Sequence, residues 1–244
     1  MTLDELLPAL FPSGHDVRPG PHDTVAGTAR LAGGGEARVL GIAGGVPLGI
    51  ESALELAGGV LALAAHPGRT PLVLLVDTAS QRMARRDELL GLNEYLAHLA
   101  KSLHLAAGAG HRTVSILYGP AAAGAFIATA LATQAMVAVP GASPSVMDLP
   151  SIARVTKLEL ETLQRMAETT PIFAPGIEAL TRTGAVSQSW TEPSLFAAQL
   201  QELLEQPATK GDDRGRLGAE RGGRRVSARV AGLVLAQARS QASS

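Results

Sequence analysis

The chain contains no cysteine, which excludes disulfides, a thiolate nucleophile and cysteine-ligated zinc or iron–sulfur centres. Aromatic residues are scarce, at 3% of 244 residues with a single tryptophan, so there is little material for the stacking platforms that hold single-stranded nucleic acid. Neither sign of charge prevails: 21 Lys and Arg stand against 22 Asp and Glu, a net −1, and no basic face for a nucleic acid backbone is expected. What is present is 46% hydrophobic content, enough for one large domain or a domain with a tail. The opening MTLDELLPALF is acidic and amphipathic, unlike the basic leader and apolar core of a secretory signal. A cytoplasmic protein with a small-molecule or protein partner is expected.

Hydrophobic periodicity alternates between two templates. RVLGIA (38–43) reads as a strand after the turn Gly33-Gly34-Gly35, and Ile50, Ala53, Leu54, Ala57, Leu61 and Ala64 then recur at helical spacing. PLVLLVD (71–77) is a continuous apolar run of the kind buried on both faces of a parallel sheet. Leu92, Leu96, Leu99, Leu103 and Ala106 mark a second helix, TVSILY (113–118) a third strand, and AMVAVPG (135–141) a fourth. Pro120 suits the first turn of the helix between the last two. Repeated strand-helix-strand units predict an α/β fold with parallel strands and right-handed crossovers. Beyond residue 148 the pattern turns helical, with Gly184 as a stop and AVSQSW as a short strand. The tail opens rich in glycine and arginine and closes on an apolar patch of Val226, Val230, Leu233 and Val234, expected to dock on the body.

Residues 118–143 carry no charge, and Gly119 and Gly124 there flank Pro120 and three alanines. A membrane span is excluded because Pro120, Gly124, Gln134, Pro140 and Gly141 break the run short of about 20 apolar residues. The two glycines match the outer pair of a phosphate loop, but Ala125-Phe126 stand where Lys and Ser/Thr are needed. There is no dinucleotide fingerprint, and alanines occupy the turn where a protease would place its nucleophile. Backbone chemistry remains: small side chains at a strand-to-helix turn let a ligand reach the first free N–H groups of the helix, which is how an oxyanion is held. The competing reading is that the alanines only let the helix pack tightly on the sheet.

VDTASQ (76–81) followed by ILYGPAAAGAFIATALATQAMVAVPGASPSVM (116–147) resembles the α-type half of biotin-dependent carboxyltransferases, with its D-T-P-G-like loop before G-x-G-G-x-G-G-A and a helix. With SVMDLPSIARVTKLELETL following, the chain is similar to the malonate decarboxylase gamma subunit family over roughly residues 30–205. The resemblance implies a crotonase-like ββα superhelix with C-terminal helices. It divides the chain into an N-terminal segment (1–30), a carboxyltransferase-type domain (31–206) and an Arg/Gly-rich tail with a last helix (207–244). It further implies a subunit that pairs with a homologous β chain to decarboxylate a malonyl thioester on an acyl carrier protein, beside an acyl transferase α subunit. No bound cofactor or metal is implied, only the CoA-like arm of the carrier as bearer of the thioester.

Carried over by position, Gly124 and Ala125 are the expected backbone oxyanion donors, with Gly119 and Ala123 shaping the turn. Asp77, Thr78, Ala79, Ser80 and Gln81 line the same pocket. Ala121 to Ala123 replace family glycines and Ala79-Ser80 replace Pro-Gly, consistent with drift away from carboxybiotin. Arg154 or Lys157 is a candidate anchor for the substrate carboxylate. Ser80, Tyr118, His98, His104 and His111 are conceivable proton donors, each histidine reading more simply as a surface residue. Arg214, Arg216, Arg221, Arg224, Arg225 and Arg229 form a basic patch that could meet an acidic carrier, against the plainer reading of solvated charge. A decarboxylase subunit, a carboxybiotin-using half and a non-catalytic scaffold all remain open on these residues alone.

Overall fold

Thr2 opens the first helix with a reciprocal cap: its hydroxyl accepts from the Glu5 amide at 3.3 Å, and the Glu5 carboxylate accepts from the Thr2 amide at 2.8 Å. The computed structural model describes residues 1–66, 68–171, 175–206, 212–224 and 226–242. In chain order, α1 (Leu3–Leu10), β1 (Arg18–Pro19), β2 (Thr24–Arg30) and β3 (Glu36–Ile42) lead into α2 (Ile50–Ala64) and β4 (Leu72–Thr78). Next come α3 (Arg85–Leu89), α4 (Leu92–Gly108), β5 (Thr113–Ala122) and α5 (Ala123–Ala128), then a 3₁₀ turn at Ala130–Ala132. β6 (Ala135–Ala138), β7 (Ser143–Ser145), α6 (Leu149–Thr156), α7 (Leu160–Thr169), α8 (Ile177–Arg182) and β8 (Gln188–Ser189) follow. The chain ends with α9 (Phe196–Glu205), α10 (Arg214–Glu220) and α11 (Ser227–Ala242).

One sheet runs in the order β1-β2-β3-β4-β5-β6-β8, with β7 added beside the end of β5. β3 to β6 and β8 are parallel, as the strand-helix alternation predicts, whereas β1 and β2 pair antiparallel, so the opening of the sheet is a ββα unit. Alternating side chains split the core into two layers. Val73, Leu75, Val114, Ile116 and Tyr118 face Leu6, Leu10 and Phe11 of the N-terminal segment and Phe196, Leu200 and Leu203 of α9. Leu74, Val76, Leu117 and Ala121 face Leu56 and Val60 of α2, Leu99 and Leu103 of α4, and Phe126 of α5. Residues 1–30 thus belong to the same sheet and core as the rest.

Three expectations change on contact with the structure. Pro120 does not start a helix: β5 runs on to Ala122, and between the pairs Val76–Leu117 and Thr78–Ala121 a single β4 residue, Asp77, faces three of β5. This bulge keeps the chain extended past the proline, and the turn into α5 falls on Ala123, which holds a left-handed φ of +50° despite its Cβ. The last helix does not dock, since Val230, Leu233 and Val234 of α11, with Val226 just before it, are at least half exposed.

The tail arginines, finally, are not a free basic patch. Arg214 donates to the carbonyls of Leu131 (2.8 Å) and Thr133 (2.5 Å), Arg221 to those of Thr181, Val186 and Ser187, and Arg224 to that of Thr183. They pin α10 across open carbonyls at the 3₁₀ turn and the end of α8, where cations suit the helix dipole. Arg216 pairs with Glu220 and Asp213. Arg229 lies on exposed α11, and Arg225 lies outside the described residues.

Candidate functional site

Parallel sheets collect ligands beyond the carboxyl ends of their strands, and here the ends of β3, β4 and β5 converge. After β3, Gly44 and Gly45 turn with φ of +86° and +62°, and the Gly44 amide donates to Asp77 Oδ2 at 2.9 Å. Gly119 is buried directly against that carboxylate; a β-carbon there would fall inside the Asp77 side chain. Glycine at 119 is therefore required by the close approach of two strands and not by its backbone angles.

The loop after β4 is laced to the loop after β3. Thr78 Oγ1 donates to the Val46 carbonyl at 2.6 Å, the Ala79 amide to the same oxygen at 3.2 Å, Leu48 to Ser80 O and Arg82 to Leu48 O, both at 2.8 Å. The Ser80 hydroxyl donates to the Gln81 carbonyl at 2.9 Å. Gln81 then reaches α5, where its Oε1 accepts from the Gly124 amide at 2.9 Å. The first amides of a helix have no intrahelical acceptor, and a side-chain carbonyl fills this one. Ala125, next in the chain, is buried and packed into the core with Phe126. Asp77, Thr78, Ala79, Ser80, Gln81, Gly119, Ala123 and Gly124 lie together at this corner.

Other expected residues lie elsewhere. Arg154 and Lys157 are exposed on and just after α6, with Asp148 as the charged neighbour of Arg154, and neither hydrogen-bonds or ion-pairs with the loop cluster. Tyr118 is turned to the face under α1 and α9, opposite α5, and its hydroxyl is buried without a hydrogen-bond partner among the described residues. Burial, and secondarily Asp77, push its pKa upward and keep it neutral. His98 and His104 are exposed on α4. His111 is not a surface residue: it is 1% exposed, with Nδ1 2.9 Å from the Thr70 carbonyl, at the start of β5 and so at the far end of the sheet. The open clefts near the β2–β3 turn, lined in part by Ser13, Arg30 and Glu36, also lie at that far end.

Sequence reasoning missed the ion network that fixes the loop. Arg82 donates Nε to Asp87 at 2.6 Å and a terminal nitrogen to Glu51, and Arg86 reaches the other Glu51 oxygen at 2.5 Å. Gly49 leaves room for the Arg82 guanidinium, which a β-carbon would strike. The partners lie 31 and 5 residues from Arg82, so no local spacing rule points to them. A hydrogen bond from its own backbone amide, then Arg86 and Arg82, holds the Glu51 carboxyl down to about 2 from 4.5. Because the folded value is the lower one, the network's stabilisation is complete above about pH 4.5 and is lost as pH falls through 2. Protection of the residue 79–84 amides, taken relative to their intrinsic exchange rates, should fall as pH drops across that window in the wild type, and Glu51→Gln should remove that part of the acid response; an identical profile in both would contradict the assignment.

Among the described residues no helix is long and apolar enough to cross a membrane, and no group of three His, Asp or Glu is placed to hold a metal ion. The ββα opening, the parallel sheet and the site at its strand ends define the crotonase-like fold of the carboxyltransferases. A transcarboxylase 12S chain shares that fold at 19% identity and TM-score 0.67, over 85% of this chain and 43% of its own. The family model for the malonate decarboxylase gamma subunit matches residues 43–238, and the chain belongs to that family. It is similar to a chain of a Pseudomonas malonate decarboxylase heterotetramer in complex with coenzyme A, 26% identical with TM-score 0.79, covering 96% of this chain and 98% of that one. A Pseudomonas MdcD–MdcE heterodimer matches at 26% identity and TM-score 0.74 over the same shares. The malonyl-S-ACP:biotin-protein carboxyltransferase of Malonomonas rubra is 28% identical over 180 residues, 68% of this chain and 61% of that protein, so the chain spans about three fifths of that relative.

Proposed function

We propose that this chain forms, with a homologous β-type chain, the site that decarboxylates a malonyl thioester carried on an acyl carrier protein. The observation that carries the reading is the Gly124 amide: it presents a backbone donor at a small-residue turn and already holds a carbonyl oxygen, that of Gln81, at 2.9 Å. In the reaction the bond between the α-carbon and the carboxylate breaks, carbon dioxide leaves, and the electron pair passes into the thioester as an enolate. A proton on the α-carbon then gives the acetyl thioester. Gly124 donates to the enolate oxygen, where a preorganised amide acts on charge that develops only during the reaction. Asp77, Thr78, Ala79 and Ser80 hold the loops that position it, with Gly119 and Ala123 shaping the turn.

Tyr118 lies across the sheet, His98 and His104 are exposed on α4, His111 is held at the Thr70 carbonyl, and the Ser80 hydroxyl is taken up by the Gln81 carbonyl, so we assign the proton donor to the partner's side of the shared site. The membership in a family whose solved relatives are hetero-oligomers supports the pairing. The acyl transferase α subunit and the carrier complete the proposed assembly, and the cysteine-free chain suits a cytoplasmic setting.

A second reading, transfer of the carboxyl group to biotin, is favoured by the Malonomonas relative. Avidin separates the two: turnover of the malonyl thioester by the assembled pair should persist in its presence, whereas its loss would support the biotin-using half.

A further inference from the structure

Gln81 combines a fixed backbone with a loosely held side chain. Its main chain bridges to Leu48, flanked by the Leu48–Ser80 and Arg82–Leu48 hydrogen bonds, and the Arg82 ion network ties the next residue to α2 and α3. Among the described residues the carboxamide beyond it has one strong contact, the Gly124 amide; its nitrogen has Met83 Sδ at 3.7 Å, and Met83 is 79% exposed. The group held by Gly124 is thus a neutral carbonyl on three rotatable bonds, chemically close to the thioester carbonyl that the proposed reaction places there.

We infer that Gln81 is a substrate-displaced latch: its carboxamide occupies the Gly124 amide in the free chain, and the thioester oxygen takes its place on binding. The inference rests on the decarboxylase reading for the identity of the incoming oxygen. One neutral hydrogen bond is weak enough for a substrate to replace. A developing enolate is a stronger acceptor than a carboxamide, so the exchange favours the reacting state over the latched one. Until then the amide is satisfied and closed to stray anions. Rotation of the side chain suffices, since the loop backbone is held on both sides.

The test uses the complex of this chain with its β-type partner and variants at position 81. Gln81→Ala removes the competing acceptor, and KM for a malonyl thioester should fall by about two- to tenfold. Gln81→Glu offers Gly124 a charged acceptor, and KM should rise. Amide hydrogen exchange at single-residue resolution reads the latch without turnover: Gly124 should exchange faster in Gln81→Ala than in the wild type. A rise of KM in both variants would overturn the inference, because Gln81 would then grip the substrate and not compete with it; unchanged Gly124 exchange would overturn it as well. The exchange result stands whether or not the complex decarboxylates, so the latch and the reaction assigned to the site can fail separately.

Discussion

Gly124→Val lowers turnover of the assembled pair by about a hundredfold or more, the usual cost of losing one oxyanion donor, while the pair stays assembled. A β-carbon at 124 meets Gln81 Oε1 at 3.2 Å and Leu96 Cδ1 at 3.3 Å, so even alanine asks its neighbours to give by a few tenths of an ångström. Valine adds two methyl groups at that point and covers the amide. The backbone itself accepts the change, because the positive φ of this turn falls on Ala123 and not on Gly124. Native mass spectrometry beside a steady-state assay separates the readings. Activity lost with assembly intact assigns the glycine to the chemistry, and parallel loss of both assigns it to packing, as a scaffold would require.

The second large effect is structural. Gly119→Ala drives a methyl group into the Asp77 carboxylate, and Asp77 is the acceptor that holds the Gly44 amide. Overpacking of this kind costs roughly 1–3 kcal/mol, and for a chain of this length we expect Tm to fall by about 2–12 °C. Turnover should fall as well, because displacing Asp77 releases the turn after β3 from the loop after β4. A variant that melts within about a degree of the wild type would contradict the close packing of these two strand ends.

The parts of the fold legible in the sequence are those where burial on both faces leaves a continuous signal. PLVLLVD and TVSILY became β4 and most of β5, and the leucine steps after residue 92 became α4. The antiparallel β2 was not readable, because TVAGTAR mixes small and polar residues and takes its place through ladder bonds to β3 over Thr24–Arg30. Pro120 misled for a local reason: the same fixed φ serves the first turn of a helix and a bulged strand, and the register with β4 decides between them.

At the site, the motif positions told which residues share the corner, but not how they are occupied. That Gly124 is satisfied by Gln81 depends on a contact across 43 residues. The arginines of 214–224 show the same limit: composition reports their charge, whereas their carbonyl partners at 131, 133, 181, 183, 186 and 187 come from the fold. His111 looked exposed because it sits in a turn, yet the Thr70 carbonyl draws its ring inward.

The most direct measurement follows conversion of a malonyl thioester to the acetyl thioester by mass spectrometry, without biotin, using this chain alone, its β-type partner alone, and the two together. The account predicts turnover only in the mixture. Full turnover by the partner alone would contradict it, and would leave the Gly124 turn as packing in a non-catalytic subunit.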